Sequence, residues 1–68
     1  MTPYQIGAAL RKERLSRKWK WHKVAQESRM TIGQVQSIEN ATKAYTIDSL
    51  VKVCKALDCE LVVRPIEK

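Results

Sequence analysis

Apolar residues recur at helical spacing in four stretches of this chain and at alternate positions in a fifth. In the first stretch Ile6, Ala9 and Leu10 make one stripe, Arg14 continues it, and Leu15 flanks it. Thr2, Pro3 and Gln5 stand where an N-cap, a first helical residue and the closing residue of a capping box belong, so a helix is expected from Pro3, fraying near Arg17 or Lys18. Arg14 on that stripe needs a carboxylate partner, because an unpaired charge on a buried line is heavily penalised. Trp19 is an apolar anchor in the connection, and a second helix is expected from about Trp21 to Ser28, with Val24 and Ala25 inward.

Thr31 and Gln34 form a second capping box, and the helix it starts runs to Asn40. Val35 and Ile38, with Met30 just before the cap, line its inner side, while Ile32, Gly33, Gln36, Ser37 and Asn40 share the outer one. That outer side carries small, amide or aliphatic groups in place of the Lys and Glu of a typical solvated face. It is either an ordinary exposed surface or one suited to base edges, since glutamine can pair bidentately with adenine. Thr46 caps a fourth helix with Asp48 in its first turn, and Ile47, Leu50, Val51, Cys54 and Leu57 follow the spacing of a core-facing stripe.

The last pattern has a period of two. Cys59, Leu61 and Val63 alternate with Glu60, Val62 and Arg64 until Pro65 stops the run, which predicts a strand. The chain holds no second strand candidate, and a lone strand leaves its backbone groups unpaired. The same strand of a second copy, in a two-fold antiparallel pair, is the simplest partner; a frayed tail and strand addition to another protein are the alternatives. The expected fold is all-α, with four to five helices and a short C-terminal β-strand used for dimerisation.

Length supports the need for a partner. A chain of 68 residues falls just under the roughly 70 to 80 at which one core supports itself. The N-terminal residues are a polar capping pattern and not an apolar leader, no apolar run approaches the ~18 residues of a membrane span, and the two cysteines are Cys54 and Cys59, so a cytoplasmic protein with reduced thiols and no membrane association is expected.

Charge adds a location. The balance is 13 basic to 7 acidic residues, a net charge of +6. Arg11, Lys12, Arg14, Arg17, Lys18, Lys20, Lys23 and Arg29 lie in one stretch with Glu13 and Glu27 as its acids, while the remainder is balanced. Such a cluster is either a solvated face or the footprint of a phosphate backbone. Lys18, Lys20 and Lys23 lie around the start of the second helix, where a cation opposes the helix dipole and where an anion would resolve the conflict. Enzymatic chemistry is not indicated: His22 is the sole histidine, the carboxylates are scattered, and Cys54, Cys59 and His22 make no tetrahedral metal set, so neither catalytic residues nor a metal or other cofactor is expected.

Taken in register, these elements resemble the phage-repressor and Cro-like helix-turn-helix domains over about Ile6 to Leu57. The resemblance is carried by Ala25 where the second and third helices cross, the inward pair Val35 and Ile38, the run Ile38-Glu39-Asn40, and the final helix Leu50 to Leu57. It implies a DNA-binding domain over residues 1–58, a dimerisation tail over 59–68, and a homodimer that regulates transcription by binding double-stranded DNA. By the same resemblance Arg14 pairs with Glu39. Ile32, Gly33, Gln36 and Ser37 meet base edges, with Gln34 a further reader. Asn40, Lys43 and Trp21 approach phosphates, and Lys20, Lys23, Thr31 and Gln34 are grouped with them. Cys59, Leu61, Val62, Val63 and Arg64 would form the dimer contact. The tail also resembles antitoxin components of toxin–antitoxin pairs, which implies a toxin protein as an alternative partner; a protein-binding adaptor on the same fold is the other reading. Departures from the family are Arg29 and Ala41, where it usually has glycine, and Trp21, where it has glutamine or serine.

Overall fold

The computed structural model describes residues 2–66 and contains four helices, α1 (Pro3–Ser16), α2 (Trp21–Ser28), α3 (Ile32–Asn40) and α4 (Ile47–Ala56). Three of the four starts are set by side chains. Thr2 and Gln5 close one capping box and Thr31 and Gln34 another, while the Thr46 hydroxyl accepts the Ser49 amide at 3.1 Å. Only α2 lacks a side-chain cap, its N-cap being Lys20.

All four helices stop in the same way. Lys18, Arg29, Ala41 and Asp58 adopt left-handed backbone with φ of 58, 59, 55 and 54°. In each case the next amide reaches back five residues: Trp19 to Arg14, Met30 to Ala25, Thr42 to Ser37 and Cys59 to Cys54, at 2.8 to 3.2 Å. These are Schellman endings, normally built on glycine because a Cβ is strained at positive φ. Trp19, Met30 and Cys59, the residues just past the strained position, pack against the core and hold the endings closed. The turn between α2 and α3 therefore keeps the glycine geometry with an arginine in it. Arg29→Gly should stabilise the domain by about 1 kcal/mol, as relief of left-handed strain outweighs the added chain entropy; an unchanged or lower urea midpoint would contradict this.

α3 packs on both α1 and α2, and α2 on α4. The core they enclose consists of Leu10, Val24, Ala25, Val35, Ile38, Leu50, Val53, Cys54 and Leu57. The inward line of α1 is Gly7, Leu10 and Arg14; Ala9, expected on it, is exposed and Ile6 only half-buried. On α4, Val53 takes the buried place expected for Ile47, which is 70% exposed as the first residue of its helix.

The expected strand is absent from the described residues. Cys59 to Ile66 run without regular structure, and Leu61, Val62, Val63 and Ile66 are exposed, Val63 at 96%. A strand is defined by its ladder, and among the described residues no other segment offers one. Glu67 and Lys68, the end of the expected tail over 59–68, and Met1, the start of the expected domain over 1–58, lie outside the described residues. No helix among the described residues is long and apolar enough to cross a membrane.

Candidate nucleic-acid interface

The position of α3 is dictated by one carboxylate. Glu39, whose side chain has no exposed surface, receives Arg14 Nε at 2.8 Å on Oε2 and Arg14 Nη2 at 3.2 Å on Oε1. The Trp21 indole N–H donates to the same Oε1 at 3.1 Å, and Arg11 Nε approaches it at 3.4 Å. Arg14 is itself fixed twice more: its Nη1 donates to the Trp19 carbonyl at 2.9 Å, and its guanidinium lies over the Trp21 ring, 4.9 Å from the centroid. Residues of α1, α2 and the connection between them thus converge on the last turn of α3. No buried side-chain nitrogen or oxygen among the described residues lacks a partner, so the ion pair meets the condition under which a buried charge is tolerated.

With its inner side locked, α3 turns the remaining residues outward. Gly33, Gln34, Gln36, Ser37 and Asn40 line one wall of a groove of about 680 Å³, closed on the other side by Thr42 to Thr46 and containing Lys43. Thr31 borders it at the helix start, with its Oγ1 engaged by the Gln34 amide and the Gln34 side-chain oxygen on the Thr31 amide. The Gln34 side-chain NH2 has no acceptor among the described residues. Ile32, 44% exposed, stands outside this groove.

The start of α2 differs from expectation. Trp21 is half-buried and its indole N–H is spent on Glu39, which leaves the backbone amide at the uncapped start of α2 as the group it can offer a phosphate. Lys23 pairs with Glu27 at 2.8 Å and lies 5.4 Å from the Trp19 ring centroid, while Lys20 has no ion pair among the described residues. The basic cluster is likewise partly consumed internally. Arg17 Nη2 donates to the Leu57 carbonyl at 2.6 Å, tying α1 to the end of α4. Lys12, Lys18, Lys20 and Arg29 are the cations of that stretch without an ion pair among the described residues.

Two residues that sequence reasoning passed over prove central. Gly7 lies where α1 meets α3: a Cβ there would stand 2.2 Å from the Glu39 carbonyl oxygen and 2.6 Å from that of Ile38. Its signal was a glycine placed among the buried positions of a helix. Arg11 lies one turn before Arg14 on α1 and reaches both Glu39 and the Asn40 side-chain oxygen. The two thiols lie apart from the groove; burial pushes both Cys54 and Cys59 up, so each stays protonated at neutral pH.

A family model described as helix-turn-helix matches residues 10–63 of the chain. No curated protein and no solved structure matches it.

Proposed function

The chain belongs to the helix-turn-helix family of the phage-repressor and Cro type, whose members are DNA-binding regulators, and on that premise we propose that it is a sequence-specific transcriptional repressor that places α3 in the major groove of double-stranded DNA. The observation carrying this reading is the uncharged outer face of α3, held by the buried Glu39 network and continuous with Asn40 and Lys43 in one groove. Gln36 and Ser37 reach base edges there, Ile32 contacts a thymine methyl, and Gly33 admits close approach. Asn40, Lys43, Thr31, Gln34 and Lys20 contact phosphates, and Lys23 joins them by exchanging Glu27 for a phosphate oxygen.

Duplex binding should weaken with salt, log K falling against log salt with a slope of about −0.9 for each phosphate neutralised. The check is a fluorescence titration on random duplex across ionic strengths. Absence of binding even at low salt would sink the DNA reading and leave the protein-binding adaptor.

The exposed apolar tail supports a homodimer, each copy burying Leu61, Val62 and Val63 by pairing the segment Cys59 to Arg64 with its two-fold mate. Two recognition helices at fixed spacing would then read two half-sites. Removal of residues 59–68 should leave a monomer in sedimentation, and a dimer surviving the truncation would place the interface elsewhere. The same exposed residues favour the antitoxin as a second reading, in which a toxin protein covers the tail. A cytoplasmic location follows from either.

A further inference from the structure

Arg11 reaches from α1 to the last two residues of α3. Its Nε lies 3.4 Å from Glu39 Oε1, and its Nη2 donates to the Asn40 side-chain oxygen. A guanidinium has donors only, so this contact decides which end of the Asn40 amide faces it. The carbonyl oxygen turns to Arg11, and the NH2 group is left pointing away from it. Asn40 is exposed and shares the groove with Ser37 and Lys43. There an NH2 group can donate to a phosphate oxygen, whereas the flipped amide would present a carbonyl oxygen and repel it. An asparagine at a helix end has no such preference by itself, because its terminal torsion is broad and nearly two-fold. Arg11 is in turn steadied by Glu39, whose carboxylate Arg14 and Trp21 hold in place.

We infer that Arg11 is a positioning residue for DNA binding, fixing the Asn40 amide with its NH2 group toward a phosphate. The inference rests on the DNA reading above and adds a residue that acts through Asn40, not by its own contact with the backbone.

A double-mutant cycle tests it, with Arg11→Lys, which keeps the charge but not the fork, and Asn40→Ala, titrated against one duplex at one ionic strength. Arg11→Lys should weaken binding about three- to tenfold in the native background and leave it almost unchanged in the Asn40→Ala background. In the DNA-free protein the Asn40 side-chain amide resonances should be as ordered as the backbone in the native chain and mobile in Arg11→Lys, with the melting temperature little changed. Should Arg11→Lys fold poorly, Arg11→Gln serves in the same cycle. Equal losses in both backgrounds, no loss in the native one, or an Asn40 amide unaffected by the substitution would overturn the inference. A native chain that binds no duplex at any salt would remove the DNA reading and this role with it, an outcome distinct from binding with an additive cycle.

Discussion

Glu39→Ala should leave the domain largely unfolded at 25 °C. The substitution removes the acceptor of Arg14 and Trp21 and strands the Arg14 guanidinium, a residue only 7% exposed, beneath the packed helices. Breaking a buried pair by deleting one partner costs about 3 to 5 kcal/mol, because the remaining charge keeps its desolvation penalty without its compensation. A domain of this size draws roughly 3 to 5 kcal/mol from its core, so the loss is comparable to the whole margin. Circular dichroism and urea unfolding would measure it. Removing the charge from both sides tests the cause: Arg14→Met with Glu39→Met should recover at least half of the loss, since a hydrophobic pair of similar volume avoids the buried charge. A Glu39→Ala domain within about 1 kcal/mol of the native one would show that helix packing alone positions α3.

The network matters for function because it separates two demands on a nine-residue helix. Val35 and Ile38 bury the inner side, but two aliphatic contacts permit rotation about the helix axis. Glu39 fixes that rotation with directional bonds from α1 and α2, which determines which residues border the groove. The departure at Trp21 belongs to the same logic. Its indole adds a donor to Glu39 and a ring face to Arg14, so it strengthens the tie where the family usually contacts a phosphate.

What was legible in the sequence follows from how local each signal is. The helix starts could be read because Thr2, Thr31 and Thr46 satisfy amides within three residues of themselves. Helix ends were harder: Arg29 and Ala41 carry no glycine, and the left-handed turn is imposed by Met30 and the helix packing. The stripe of α4 was set from Ile47, a first-turn residue that the body does not cover, so Val53 was missed although it is fully buried. The outward set on α3 was readable by periodicity, but partner choice was not. Trp21 and Arg11 find their carboxylate and amide through chain folding, at separations of 18 to 29 residues, which no local pattern encodes. The tail is a separate case, because its alternation describes a strand only once a second strand lies beside it.

Gly7→Ala should destabilise the domain by about 2 to 4 kcal/mol, against the gain of nearly 1 kcal/mol that the same change brings in an open helix. The added Cβ would meet backbone, standing 2.2 Å from the Glu39 oxygen and 2.7 Å from its carbonyl carbon, so no side chain can rotate out of the way. α1 must withdraw from the end of α3, and with it go Arg11 and Arg14, lengthening the bonds to Glu39 and Asn40. Gly33 provides the control. A Cβ there has only the Thr31 hydroxyl at 3.9 Å in reach, so Gly33→Ala should raise stability by about 0.5 to 1 kcal/mol. The fold gives no reason for glycine at that exposed position, whereas a surface pressed against α3 would; Gly33→Ala should therefore weaken duplex binding while it stabilises the free protein. Urea midpoints of the two variants measured together decide the matter, since the same chemical change is expected to shift them in opposite directions. A Gly7→Ala midpoint that rises together with that of Gly33→Ala would mean that the close approach of α1 to α3 is not where this fold is constrained.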